Sequence, residues 1–219
     1  MFCSQCGHAL QEQDQFCCMC GKPIPLPKRK ARLWPAALAL VLIFALGLSA
    51  FLLVRPQTGP VNDDTMPWFT LKNGTLYFDK TRYTGGSELT VPEQIHGQTV
   101  TNISDSCFEG CDQFTMIYLP ENLQHIGESA FYGCTGLRGI KLPESLESIG
   151  SYAFGGCINL EAVCIPYSLE QIGGNPFYQC NKLVYFFYPG PAEDWYALPL
   201  GNLRSDSYVQ CADGIYPAK

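Results

Sequence analysis

Four cysteines near the N-terminus carry the clearest chemistry in this sequence. Cys3 and Cys6 form one C-x-x-C pair closed by Gly7, and after ten intervening residues Cys17 and Cys20 form a second pair closed by Gly21. Four thiolates on two tight turns can meet one tetrahedral Zn²⁺ at about 2.3 Å. The glycines permit the backbone conformations such turns need. So short a segment buries too little surface to fold alone, so a structural zinc would supply its folding free energy, of order 10 kcal/mol. Cys18 is an additional thiol, and His8 could replace a sulfur, but the spacing favours Cys17 and Cys20 and leaves His8 as a polar turn residue. A redox pair is the competing chemistry, and no βαβ pattern surrounds either pair to support it.

Catalytic chemistry finds little elsewhere. The only histidines are His8, His96 and His125, and no H-E-x-x-H, G-x-S-x-G or phosphate-cradling glycine pattern is present. Asp105, Glu128, Ser151 and Gly174 share one position of an internal repeat, as do Glu121, Glu144 and Tyr167, and these read as solvated rows. The chain is therefore not expected to be an enzyme. The head itself, FCSQCGHAL followed by FCCMCGKPI, resembles the short zinc ribbon at the N-terminus of many bacterial membrane proteins.

A membrane is the next element implied. Residues 33–54 are 22 uncharged residues, LWPAALALVLIFALGLSAFLLV, which as a helix would span roughly 33 Å, enough for a hydrocarbon core of about 30 Å. Thirteen of them are Leu, Ile, Val or Phe, each favouring insertion by about 0.3 to 0.6 kcal/mol. Pro35 lies in the first turn, where it costs little. Lys28, Arg29, Lys30 and Arg32 precede the span and only Arg55 follows closely. The positive-inside rule then places the N-terminus in the cytoplasm and the remainder outside a cell membrane crossed once.

Charge divides the chain in the same place. The first 32 residues hold five Lys/Arg against two Asp/Glu, whereas residues 55–219 hold nine against 18. An acidic body of this kind is a poor polyanion binder, which argues against nucleic acid as its partner.

Within that body the sequence repeats every 23 residues. Ile103, Ile126, Ile149 and Ile172 form one row, Phe108, Phe131, Phe154 and Phe177 a second, and Cys111, Cys134, Cys157 and Cys180 a third. Each unit then enters L-x-x-I-x-L-P, as in Leu137, Ile140, Leu142 and Pro143. A constant period with apolar rows means a solenoid, because no single coil can bury its own apolar face. The motif I-G-x-x-A-F-x-G-C-x-x-L-x-x-I-x-L-P resembles the BspA-like leucine-rich repeats of bacterial surface proteins. That resemblance implies binding of a host or matrix ligand without identifying it.

The expected architecture is multi-part: a small zinc ribbon, one transmembrane helix, and a β-rich leucine-rich-repeat solenoid with a capping hairpin and a C-terminal cap. Its boundaries are 1–27 for the cytoplasmic zinc ribbon, 28–32 for the basic flank, 33–54 for the span and 55–67 for a linker with three prolines. The N-terminal cap and first-coil entry then take 68–102, the repeats 103–189 and the C-terminal cap 190–219. Asn73-Gly74 between Trp68–Leu71 and Thr75–Phe78 is a strong hairpin signal, placed to cover an open sheet edge. The cysteine row reads as small buried thiols, with Cys107, Cys164 and Cys211 unassigned.

In the L-x-x-I-x-L strand the residues flanking the inward Ile face solvent, on the side that usually binds ligands in leucine-rich repeats. Stacking gives two columns, Met116, Gly139, Ala162, Tyr185 and Tyr118, Lys141, Cys164, Phe187. Met116, Tyr118, Lys141, Tyr185 and Phe187 are the candidate ligand face, although strand-forming residues without a ligand would leave the same pattern. The leading expectation is a membrane-anchored surface protein that binds a protein or glycan outside, touching the lipid bilayer through residues 33–54. The alternative is a signalling or scaffold protein whose zinc ribbon docks a cytoplasmic protein partner.

Overall fold

Asn73 and Gly74 turn the chain with φ of 50° and 78°, the left-handed pair a two-residue hairpin requires, and join β1 (Phe69–Lys72) to β2 (Thr75–Phe78) in antiparallel register. The computed structural model describes residues 66–201 and 203–218. The four zinc-site cysteines, the basic flank, the span at 33–54 and the linker up to residue 65 lie outside the described residues. Among those described, no helix is long and apolar enough to cross a membrane, and no three His, Cys, Asp or Glu side chains cluster to hold a metal.

Beyond the hairpin come β3 (Glu88–Thr90) and a small antiparallel pair, β4 (Gln94–Ile95) with β5 (Gln98–Thr99), turned by His96 and Gly97. Two strands per coil then follow. The three-residue strands are β7 (Met116–Tyr118), β9 (Gly139–Lys141), β11 (Ala162–Cys164) and β13 (Tyr185–Phe187). Their central residues Ile117, Ile140, Val163 and Phe186 are buried, as the two-residue alternation of a strand demands. The two-residue strands are β6 (Asn102–Ile103), β8 (His125–Ile126), β10 (Ser148–Ile149) and β12 (Gln171–Ile172).

These stack as parallel sheets. One runs β1-β2-β6-β8-β10-β12, so the hairpin covers the N-terminal edge of the sheet, as the Asn-Gly signal predicts. The other runs β9-β11-β13 and continues through β14 (Tyr208–Cys211) to β15 (Gly214–Pro217), while β3 pairs with β7. β7 is linked to β9 by the Arg138 amide donating to Thr115 O at 3.3 Å.

A third side is made of turns. There the amide of Phe131 donates to Ala153 O and that of Phe154 to Pro176 O, at 2.7 and 2.8 Å. Between the three sides, Phe108, Phe131, Phe154 and Phe177 stack face to face, with centroids 5.1, 5.0 and 5.6 Å apart and interplanar angles of 10°, 1° and 16°. Burying each such ring contributes about 3 kcal/mol.

The cysteine row lies beside these rings as free, buried thiols. Three of the four donate to the carbonyl oxygen of the preceding coil's phenylalanine: Cys134 to Phe108, Cys157 to Phe131 and Cys180 to Phe154, at 3.1, 3.2 and 3.0 Å. A small side chain with a weak donor therefore fits this row better than alanine would. Of the unassigned thiols, Cys107 and Cys211 are buried, Cys107 donating to Leu76 O at 3.4 Å, and Cys164 is half-buried.

The coil period persists beyond residue 189. β14 pairs with β13 at the same 23-residue offset that relates β13 to β11. Trp195, in the short helix α1 (Ala192–Ala197), stands where that offset would place the isoleucine following Ile172. It is fully buried, 5.1 Å from Phe186, and its indole N–H donates to Ala218 O at 2.8 Å. The C-terminal segment is thus a modified coil in which a helix replaces the two-residue strand.

Candidate ligand-binding face

The three-residue strands bring the sequence-derived candidates onto one face in register. Ala162 pairs with Gly139 and Tyr185, and Cys164 with Lys141 and Phe187. Met116 and Tyr118 continue the two columns on β7, where they pair with Glu88 and Thr90 of β3. Parallel pairing sets neighbouring residues about 4.8 Å apart, so each column is a closely spaced row of side chains.

The face has relief. Gly139 and Ala162 form a low centre, between half-buried Met116 and Tyr118 on one side and Tyr185, 54% exposed, on the other. Tyr185 pairs directly with Tyr208, which is 50% exposed, and Phe187 pairs with Gln210. Tyr208 and Gln210 therefore extend the face, and sequence reasoning missed them by closing the repeats at 189. The signal was available, because Tyr208 stands one period after Tyr185 and Val209 one period after Phe186.

Charges on and around the face are tied. Lys141 Nζ lies 3.8 Å from Glu121 and Arg138 lies 3.9 Å from Glu161. Burial pushes the Tyr118 phenol above its usual range, and the neighbouring Glu88 carboxylate adds to the effect. Tyr118 therefore stays protonated at neutral pH and can act as a hydrogen-bond donor. An aromatic and amide surface with paired charges suits contact with a largely neutral ligand surface.

The other sheet carries a second concavity. A shallow trough of about 540 Å³ runs along it, floored by Gly127, Gly150 and Gly173. A Cβ at those positions would lie 2.5, 2.5 and 2.2 Å from backbone nitrogens of the preceding coil, so close coil approach requires the glycines. Along one wall His125 Nδ1 and Ser148 Oγ are 2.8 Å apart. Along the other, Asp105 accepts the Glu128 amide at 2.7 Å and Ser151 the Gly174 amide at 3.1 Å. The row Asp105, Glu128, Ser151, Gly174 is thus more than the solvated row expected: two of its members cap the next coil. Tyr167, from the other row, donates to Asp194 at 3.0 Å.

Residues 88–196 match the family model described as a BspA type leucine rich repeat region, in six copies. No enzyme family is indicated. Among solved structures the chain is similar to a leucine-rich repeat protein from Bacteroides ovatus ATCC 8483, with 24% identity over 57% of this chain and 36% of that one and a TM-score of 0.45. It is also similar to one from Bacteroides capillosus ATCC 29799, with 28% identity over 56% of this chain and 93% of that one and a TM-score of 0.49. A leucine rich cell surface protein from Faecalibacterium prausnitzii A2-165 shows 27% identity over 65% of this chain and 40% of that one, with a TM-score of 0.48. The chain spans about a third of the Bacteroides ovatus protein. No curated protein matches it.

Proposed function

Because residues 88–196 form a BspA-type leucine-rich repeat region, we propose that the chain is a membrane-anchored surface recognition protein whose repeat domain binds a protein or glycan through its strand face. The observation that carries this reading is the row Tyr185 and Tyr208, two directly paired, half-exposed tyrosines beside a low Gly139 and Ala162 centre. Tyrosine supplies large contact area at small entropic cost, and exposed aromatic patches rimmed by polar groups mark interaction sites. Residues 33–54 anchor the chain in the bilayer, with the basic flank on the cytoplasmic side and the repeats outside. Cys3, Cys6, Cys17 and Cys20 hold a structural Zn²⁺ in the cytoplasmic head. The protein performs no catalysis.

The test is an array of extracellular-matrix proteins and glycans probed with the full-length chain, repeated with Tyr185→Ala and Tyr208→Ala. Binding lost in both variants supports the strand face. Binding that survives both places recognition elsewhere, and an empty array contradicts the recognition role.

A further inference from the structure

The apolar rows that fill the coils do not all continue to the C-terminus. One period after Phe177, Cys180 and Leu183 the chain carries Leu200, Leu203 and Asp206. Leu183 continues the buried row of Phe114, Leu137 and Leu160. Asp206, next in that row, turns outward instead, where Arg204 holds its two carboxylate oxygens at 2.8 and 2.7 Å. A cavity of about 230 Å³ lies there, bounded by Phe177, Cys180 and Leu183 of one coil and by Leu203 and Arg204 of the next.

The backbone bonds of the turn side run out at the same place. The amides of Phe108, Phe131 and Phe154 each donate to the following coil, and so do those of Gly110, Gly133 and Gly156, at 2.7, 2.8 and 2.7 Å for the glycines. Phe177 and Gln179 hold the equivalent positions, and Gln179 keeps the left-handed turn, with φ of 57° against 66°, 70° and 70° in the glycines. One period on, the acceptors would be the carbonyls of Pro199 and Gly201. The chain arrives there from helix α1 and not from a strand, and among the described residues no group accepts either amide. Both residues border the cavity, and Phe177 is buried. A buried backbone donor without an acceptor is rare in a folded chain.

Arg204 brings further donors to the same space. Two of its N–H groups hold Asp206 and a third donates to Asn181 O, which leaves two of a guanidinium's five without a partner in the chain. Asp206, already held, is the only carboxylate in residues 175–183 and 203–207, which also carry Lys182. The cavity thus has an apolar wall and an edge of unused donors. Its volume is below the range of about 300 to 1,000 Å³ usual for drug-sized ligands, so it takes one small group.

We propose that this cavity binds a carboxylate carried on a small apolar group, a chemistry shared by a free branched-chain acid and the C-terminal residue of a partner polypeptide. One carboxylate oxygen accepts from the amides of Phe177 and Gln179, since N–H groups gathered at a turn form an anion-accepting concavity. The other accepts from Arg204, whose charge strengthens the bond. The apolar group packs on Leu183 and Leu203, in the space an inward leucine would fill. The strand-face tyrosines take no part.

The experiment titrates the full-length chain calorimetrically with 4-methylpentanoate. Saturable binding is expected, weakened about tenfold or more when the neutral 4-methylpentanamide replaces the acid and in Arg204→Gln. Leu203→Trp, which fills the cavity, should abolish both the binding and the ligand-induced rise in Tm, and Tyr185→Ala should leave both intact. Asp206→Asn should tighten binding several-fold, because it frees Arg204, whereas a merely structural role for that pair predicts no gain. Gly-Ser-Gly-Ser-Gly-Leu, with a free or an amidated C-terminus, separates the sources: binding of the free form alone assigns the site to a chain end, and acid binding without peptide binding assigns it to a free acid. No binding of either acid or peptide, equal binding of acid and amide, or binding that survives both Leu203→Trp and Arg204→Gln would each overturn the proposal.

Discussion

Phe154 is held between rings of both neighbouring coils, 5.0 Å from Phe131 and 5.6 Å from Phe177, and is fully buried. Phe154→Ala removes a ring that neither neighbour can replace, and should cost about 3 to 5 kcal/mol in urea unfolding. A near-neutral result would contradict the stacked core. The buried thiols make a second prediction. Burial pushes Cys107, Cys111 and Cys211 up to about 12, while contact with Cys134 and Cys180, followed by burial, raises Cys157. The folded state then holds protons that the unfolded chain releases near pH 9. Stability is fully present below that pH and declines as pH rises towards 12. Urea midpoints measured from pH 7 to 10.5 should fall above pH 9, and less steeply in Cys107→Ala and Cys211→Ala. At this scale the core rows were legible because identical residues recur at a fixed spacing. The cross-coil capping by Asp105 and Ser151 was not, since nothing in the residue type says whether a carboxylate or hydroxyl faces water or the next coil's amide.

The hairpin and the glycine row show what elements demand of single positions. Gly74 has φ of 78°, and a Cβ there would lie 2.6 Å from Thr101 Oγ1. Gly74→Val therefore meets both a backbone and a steric penalty, and is expected to cost about 1 to 3 kcal/mol and speed hydrogen exchange in β2 and β6. Exchange confined to wild-type rates would show that the hairpin does not protect the sheet edge. The same reasoning holds at Gly150, where a Cβ would lie 2.5 Å from the Glu128 amide nitrogen. The Asn-Gly pair announced its turn directly because few other pairs adopt it. The C-terminal coil was harder to see. Its helix, its proline-rich entry and its loss of the Phe and Cys rows hide a period that survives at Tyr208 and Val209.

Across the whole molecule, the described residues form a stack whose ends are closed by different means. β2 of the hairpin continues one sheet, while β14 and β15 continue the other. On the outermost strand, Pro217 cannot donate a backbone hydrogen bond, and its carbonyl accepts from Tyr196 at 2.8 Å, which blunts pairing with other chains. The proposed head and span make predictions at this scale. The full-length chain should contain one zinc, lost in Cys3→Ser with Cys20→Ser, and a metal-free folded head would contradict the assignment. Protease added to intact cells should remove the repeats and spare the basic flank, and the opposite pattern would invert the topology. The 23-residue period made the repeat stack readable. The identity of a ligand is not legible in the repeat, because the residues open to contact one are those the coil leaves unconstrained.

The turn-side hydrogen bonds all run in one direction, from the amide of one coil to the carbonyl of the next. Their peptide dipoles therefore add along the turn side, as they do in a helix, while bonds of the opposite sense on another side, such as Gly127 to Ile103 O and Gly150 to Ile126 O, run against them. The carbonyl end, at the first coil, is negative, and there Lys80 meets Glu109 O. The amide end of this side faces the C-terminal coil, so the two ends of the turn column differ in sign although the coils between them are alike.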